Sequence, residues 1–153
     1  MNESSFWKSL QRGLKGKHRR FTRHTDTTEG IPDVSYTIKR LEVTLNAGSI
    51  TINKSYSGWI ELKHTLKYPL RPTTIIRCHH FTMAQKLFIW NEIDCGGRAF
   101  ILWRIEKDIY LIHGNDAQKV GNSTKEELAS CAIKVWNYRS KELYTELLEE
   151  LKR

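Results

Sequence analysis

The chain is organised around two short stretches, GIPDV at residues 30–34 and GWIELK at residues 58–63. Each stretch places one acidic residue, Asp33 or Glu61, among residues that are typical of turns and strands. Successive side chains of a strand point to opposite faces, so Glu61 and Lys63 are expected to project from the same face. The sequence therefore predicts a strand face that can hold a metal ion and a water molecule.

Hard oxygen atoms are the ligands that Mg²⁺ prefers, and the backbone carbonyl of Leu62 is a third such atom beside the two carboxylates. Lys63 follows at a position from which it would orient or deprotonate the attacking water. No imidazole or thiolate belongs to this group, which favours Mg²⁺ or Mn²⁺ over Zn²⁺. The alternative is a surface turn followed by an amphipathic strand whose glutamate and lysine face water.

Taken together, the two stretches resemble the signature of the PD-(D/E)XK nuclease superfamily. Pro32-Asp33 matches its first half and Glu61-Leu62-Lys63 its second half, and the longer form is most similar to small phage-type nucleases near the VRR-Nuc and Holliday-junction-resolvase branches. Asp33 and Glu61 are 28 positions apart, which is longer than the compact hairpin usual in that superfamily. A meander with strands at residues 34–38, 41–45 and 49–52 is expected to span the gap.

The resemblance covers about residues 3–104 and implies a restriction-endonuclease-like, mixed α/β (α+β) fold with a central mixed sheet flanked by helices. It implies a Mg²⁺-dependent DNA endonuclease, with Mn²⁺ as a substitute, that acts on branched DNA such as a Holliday junction in recombination, repair or phage DNA processing. Asp33, Glu61 and the Leu62 carbonyl would hold the metal, and Lys63 would act on the water. The alternatives are an exonuclease acting on DNA ends and a non-catalytic nucleic-acid-binding protein on the same scaffold.

Two further polar residues are weaker candidates for the catalytic site. Apolar residues at intervals of three and four predict a first helix over residues 3–15, and a glutamate on the first helix often joins the metal site in the resembled families. Glu3 is the residue that matches, although the helix dipole alone also favours a glutamate there. In the second predicted helix, residues 82–94, Gln85 matches a site glutamine of several branches, and its alternative role is a capping box with Thr82.

The net charge of +8 is unevenly distributed along the chain. The first 24 residues hold seven Lys and Arg against one Glu, and a loop predicted over residues 64–80 contains basic residues and no acidic ones. Such patches attract nucleic acid through counterion release, although a solvated surface would have the same composition. The candidate DNA contacts are Arg12, Lys17, Arg19, Arg20, Arg23, Arg71 and Arg77.

Length and composition predict one domain, since 153 residues with 39% hydrophobic content are enough for a core. No apolar run approaches the roughly 20 residues needed to span a bilayer, so we expect no membrane partner and a cytoplasmic location. Three cysteines without CxxC spacing predict neither a disulfide framework nor a four-cysteine zinc site. The adjacent ligands of Cys78-His79-His80 are also poorly suited to one tetrahedral zinc ion.

The nuclease core is expected over about residues 3–115, and its last strands, residues 98–104 and 108–113, are joined by a tight turn. Beyond the core, leucines and other apolar residues at helical spacing predict a C-terminal helical extension over about residues 123–153. This extension is expected either to pack on its own domain or to form the contact of a homodimer. Resolvase-like cutting needs paired sites and would require such a dimer.

Overall fold

The computed structural model describes residues 2–25, 29–40 and 54–153. The helices and strands are, in chain order, α1 (Glu3–Leu14), β1 (Arg19–Arg23), β2 (Val34–Arg40), β3 (Lys54–Thr65), α2 (Met83–Asp94), β4 (Ala99–Ile105), β5 (Asp108–His113), a 3₁₀ helix (Gly114–Lys119), α3 (Lys125–Cys131), β6 (Lys134–Asn137) and α4 (Leu143–Glu150). The strands predicted at residues 41–45 and 49–52 lie outside the described residues.

The six described strands form one mixed sheet in the order β1-β2-β3-β4-β5-β6. Strands β3 and β4 are parallel and are connected by α2, as parallel neighbours require a crossover connection. All other neighbours pair antiparallel. The predicted class, a mixed α/β fold with a central mixed sheet flanked by helices and a C-terminal helix, is confirmed.

An apolar layer lies on each face of the sheet. On one face, α1 buries a stripe at helical spacing together with α4 and the sheet residues Ile60 and Leu62. On the other face, α2, the 3₁₀ helix and α3 cover a second layer that includes Ile101 and Trp103. Every residue of β4 is buried, as expected for an almost continuously apolar strand in the interior of a sheet.

The register of β2 and β3 brings the two acidic residues together. Val34 is paired with Ile60, so the next step of the antiparallel ladder places Asp33 beside Glu61. Because Ile60 and Leu62 belong to the layer under α1, the intervening Glu61 and the following Lys63 point to the opposite face, towards α2. The antiparallel pairing of β2 with β3 thus unites two acids that are 28 positions apart in the sequence.

Helix α2 begins with the predicted capping box, but it is less buried than its apolar residues suggest. Ile89 is its one fully buried residue, whereas the side chain of Met83 is more than half exposed and that of Leu87 is half exposed. The helix packs on the sheet with one side only. Apolar residues occur around its whole circumference, so those on the other sides stay exposed. Helix α2 is therefore only partly buried.

The C-terminal residues were predicted to form a helical extension over about residues 123–153. The structure shows instead two helices with a strand between them. Strand β6 separates α3 from α4 and pairs with β5, because Val135 and Trp136 are strand-forming residues next to an unpaired side of β5. The extension packs on its own domain, which is one of the two alternatives, and the homodimer contact stays a prediction. Tyr36 Oη donates to the Leu151 carbonyl at 2.8 Å, and Tyr144 Oη donates to the Ser9 carbonyl at 3.3 Å.

Two smaller results concern the end of β3 and the length of the helices. Strand β3 continues to Thr65, so His64 lies on the strand rather than in the predicted 64–80 loop. In the described part of the chain, no helix combines the length and the apolar character that crossing a membrane requires.

Candidate active site

Glu61 is the centre of the site, and its side chain is completely buried on β3. Its Oε1 atom accepts two hydrogen bonds, one from Lys63 Nζ at 2.7 Å and one from Gln85 Nε2 at 2.7 Å. Its Oε2 atom is also buried but has no hydrogen-bond partner. One oxygen of this carboxylate is therefore fully engaged, and the other is left for a further ligand.

Asp33 reaches the site from the GIPD turn that precedes β2. Its Oδ2 atom accepts the Leu62 backbone N–H at 2.9 Å. Its Oδ1 atom faces the Arg23 guanidinium at 3.6 Å, which is longer than a hydrogen bond. Gly30 holds the turn against α2, because its φ is +91° and an added Cβ would lie 2.9 Å from the Ala84 carbonyl oxygen.

The two carboxylates and the lysine shift one another's protonation. Burial raises the pKa of Glu61 to about 8, and the negative charge of Asp33 adds to this rise, while Lys63 opposes it. Burial acts to lower the pKa of Lys63, but the charge and hydrogen bond of Glu61 outweigh it, so that pKa is raised. The site therefore holds its protons tightly, and a bound cation would relieve the repulsion between the two carboxylates.

Lys63 is held by the chain segment that leads into α2. Its Nζ atom donates to the His80 carbonyl at 3.0 Å and lies 5.5 Å from the centre of the Phe81 ring. His80 has a φ of +63°, in the left-handed region that favours glycine. The lysine is thus fixed in one direction, next to Glu61.

Gln85 forms the capping box and also contacts Glu61. Its Oε1 atom accepts the Thr82 backbone N–H at 3.0 Å, while the Thr82 hydroxyl accepts the Gln85 N–H, so the capping box is formed. Its Nε2 atom donates to Glu61. The same side chain therefore caps α2 and orients the buried carboxylate.

Glu3 lies at the border of the site. It lines an open depression of about 510 Å³ together with Asn2, Ser4, Arg23, His64 and His80. Its negative charge acts on Lys63. Among the residues that the structure describes, no three His, Cys, Asp or Glu side chains are grouped closely enough to hold a metal ion.

The candidate DNA-contact residues are dispersed over three places. Arg12, Arg19 and Arg20 line a depression of about 410 Å³ at the end of α1, and Lys17 lies close by. Arg23 lies beside Asp33. It follows Arg19 by four residues along β1, which corresponds to roughly 14 Å. The remaining two, Arg71 and Arg77, are exposed on the loop between β3 and α2.

Some residues near the site were not candidates on sequence grounds. His24 Nε2 lies 2.8 Å from Ser35 Oγ, and its ring packs 5.2 Å from the Trp59 ring. His64 and His80 reach the depression only because distant segments meet there, so no local pattern indicates them.

Burial raises the pKa of Cys78 to about 12, which keeps the thiol protonated and disfavours zinc binding there.

The chemistry that Asp33, Glu61 and Lys63 can perform is inferred from the positions of their atoms. No protein-family model and no curated protein matches the chain significantly. Two carboxylates meet from neighbouring strands, one of them has a buried oxygen without a donor, and a lysine lies 2.7 Å from the same group. Such an arrangement can bind a divalent cation and place a positive side chain beside it.

Proposed function

We propose that this chain is a Mg²⁺-dependent endonuclease of the PD-(D/E)XK type, which hydrolyses phosphodiester bonds of DNA. The observation that carries the proposal is the buried Oε2 atom of Glu61, which has no donor and lies beside the carboxylate of Asp33. Because burial and the charge of Asp33 raise the pKa of Glu61 to about 8, this carboxyl retains a proton near neutral pH unless a cation replaces it. A cation between the two carboxylates would take the place of that proton and satisfy the buried oxygen.

The residues present fit Mg²⁺. The donors are Glu61 Oε2, Asp33 Oδ1 and the Leu62 carbonyl, all of them hard oxygens. Proteins usually hold Mg²⁺ through one or two carboxylates, together with waters and substrate phosphates, so two carboxylates are sufficient. Mn²⁺ is expected to substitute because it accepts the same oxygen ligands. When bound, the ion would polarise the scissile phosphate and lower the pKa of a water.

The chain's own side chains supply the remaining requirements. Lys63 is held 2.7 Å from Glu61, where its positive charge can orient the attacking water and stabilise charge that develops on the phosphate. Gln85 fixes the orientation of the Glu61 carboxylate, and the Leu62 N–H fixes that of Asp33. Glu3, at the border of the depression, is a secondary contributor that favours a cation nearby.

DNA is proposed as the partner because of the net charge of +8, the partly buried Arg23 beside Asp33, and the exposed Arg71 and Arg77 on the β3–α2 loop. Resolution of a four-way junction needs two cuts and therefore a homodimer, whereas a flap or a duplex end needs one. The three described cysteines are free, which is consistent with a cytoplasmic protein.

The test is a cleavage assay with labelled four-way junction, flap, linear duplex and single-stranded DNA, combined with a measurement of solution mass. Each substrate is incubated with Mg²⁺, Mn²⁺, Ca²⁺ or Zn²⁺ at fixed ionic strength, and Glu61→Gln serves as the matched control. We expect cleavage with Mg²⁺ and Mn²⁺, binding without cleavage in Ca²⁺, and no cleavage by the variant. Cleavage in EDTA, a requirement for Zn²⁺, or full activity of Glu61→Gln would refute the proposal.

A further inference from the structure

The loop between β3 and α2 exposes an unusual number of apolar side chains. Leu66 is 66% exposed, Leu70 is fully exposed and Ile75 is 41% exposed. These three account for three of the seven large apolar side chains that are exposed among the described residues. Single exposed apolar residues are normal, but three within ten residues indicate a contact surface.

The tip of this loop is held rigidly. Pro69 and Pro72 restrict the backbone on either side of Leu70. Before the tip, Tyr68 Oη donates to Asp108 at 2.5 Å and lies 2.6 Å from Tyr110 Oη. After it, the buried Ile76 forms a β-bridge with Ser123. Leu70 is therefore presented at a fixed position, which lowers the entropy lost when it inserts into a partner.

The charge around the tip selects a polyanion as that partner. Lys67, Arg71 and Arg77 belong to the loop, and no Asp or Glu occurs from residue 62 to residue 91. Lys67 and Arg71 flank Leu70 in the sequence, whereas the acidic Glu106 and Asp108 are engaged with Tyr68 on the side of the β4–β5 turn. A fully exposed leucine between basic residues is suited to DNA, where apolar wedges enter between base pairs while basic side chains bind the adjoining phosphates.

The loop also lies near the proposed site. Leu70 follows Lys63 by seven residues, and seven extended residues reach at most about 25 Å. Because one strand of DNA rises about 3.4 Å per nucleotide, this distance corresponds to about seven nucleotides. The Tyr68 backbone N–H donates to Glu106 in the β4–β5 turn, which places the loop at the same end of the parallel strands as Lys63.

We propose that Leu70 is a wedge that enters a break in base stacking, so that the substrate is duplex DNA with a nick, a flap or a branch. Insertion into intact duplex requires unstacking of a base step, whereas at a discontinuity the stacking is already interrupted. If the chain is the proposed nuclease, on which this part of the inference rests, the wedge directs cleavage to within about seven nucleotides of the discontinuity.

The experiment compares the affinity for intact duplex with that for nicked and branched duplex of the same sequence, in Ca²⁺ to prevent cleavage. Burial of a leucine side chain predicts a preference of about tenfold or more for discontinuous DNA. Leu70→Ala should remove the preference and change intact-duplex affinity by less than about twofold. Leu70→Lys should strengthen binding to intact duplex and still lack the preference. Leu87→Ala, which truncates a half-exposed leucine on α2, is the matched control and should behave as the wild type.

A direct readout is 2-aminopurine placed at the discontinuity, whose fluorescence should rise with the wild type and not with Leu70→Ala. An unchanged preference in Leu70→Ala overturns the inference. It is also overturned if this variant has a lower solution mass, which would make the tip an interface between copies, or if it loses binding to anionic vesicles. Loss of the preference without cleavage in any metal supports the wedge and refutes the nuclease, so the two failures are distinguishable.

Discussion

The side-chain amide of Gln85 donates to Glu61 Oε1 across 2.7 Å, while its carbonyl oxygen accepts the Thr82 N–H of the α2 cap. The first turn of a helix and a buried carboxylate are therefore tied together by one side chain. Because Lys63 occupies the same oxygen of Glu61, only Oε2 remains for a ligand. The direction in which the carboxylate offers that oxygen depends on the position of α2.

Gln85→Ala should weaken both the helix and the metal site. Loss of the cap is expected to lower the free energy of unfolding by about 1 kcal/mol, and loss of the hydrogen bond to Glu61 should weaken metal affinity about 10–100-fold. Urea unfolding and the Mg²⁺ dependence of cleavage measure the two effects. Thr82→Ala is the control because it removes the cap alone. Equal metal dependence in the two variants would show that Gln85 has only a capping role.

Asp33→Ala and Glu61→Ala should each abolish cleavage and leave DNA binding in EDTA unchanged or stronger. Each substitution removes a proposed metal ligand and, at the same time, a negative charge near the phosphates. Cleavage rates with Mg²⁺ and binding isotherms in EDTA are the measurements. Full activity in either variant would mean that the residue is not a metal ligand.

Lys63→Ala should lower the cleavage rate on the order of 10²-fold or more, because it removes a positive group held beside the reacting atoms. Lys86→Ala is the matched control, since Lys86 Nζ lies 5.2 Å from the same Phe81 ring that Lys63 faces at 5.5 Å. Single-turnover rates at saturating DNA separate this effect from binding. If Lys63→Ala cut DNA at the wild-type rate, the lysine would have no part in the chemistry.

DNA affinity should fall steeply with salt and depend little on base sequence. If about five of the candidate basic residues contact phosphates, log K is expected to fall with log salt at a slope of roughly −4 to −5. Arg71→Ala and Arg77→Ala should each reduce this slope by about 1. Arg139→Ala is the control, because that guanidinium packs over the Tyr138 ring and is not one of the candidate contacts. A slope near zero would exclude phosphate contacts as the basis of binding.

Without divalent cations, the stability of the protein should fall as the pH rises from about 4.5 to about 8. The pKa of Glu61 is about 8 in the fold and 4.5 as an ordinary glutamate, so the folded state binds the additional proton and loses this advantage as the pH passes 8. Glu61→Gln should flatten this dependence. Urea unfolding in EDTA at pH 5, 7 and 8.5 tests it. Parallel pH profiles of wild type and variant would contradict the expectation.

The pairing of Glu61 with Lys63 is predictable from sequence because the alternation of strand side chains is local and does not depend on tertiary context. The contact between Arg23 and Asp33 is not. It follows from the register of β1 on β2, in which Arg23 lies opposite Val34, and no local pattern reports which strands become neighbours. The sequence therefore yields the central motif but not the side chains that surround it.

The strand β6 shows a second limit of sequence interpretation. Val135 fits the spacing of a helix as well as the alternation of a strand, and four residues are too few to distinguish the two patterns. The strand forms because β5 offers unpaired backbone groups beside it. By contrast, α1 and α2 have several turns and defined caps, and both are predictable to within one residue at their ends.

The arginines of β1 have a consequence that is independent of nucleic acid. In the described part of the chain, β1 has β2 on one side and no strand on the other, so its outer backbone groups could pair with a strand of another molecule. Charged side chains at such an edge discourage this association. Neutralising Arg19, Arg20 and Arg23 together would remove the protection and promote aggregation. Arginine-to-lysine exchanges keep the charge, and they are therefore the variants in which DNA contacts along β1 can be weakened while the protein stays monodisperse.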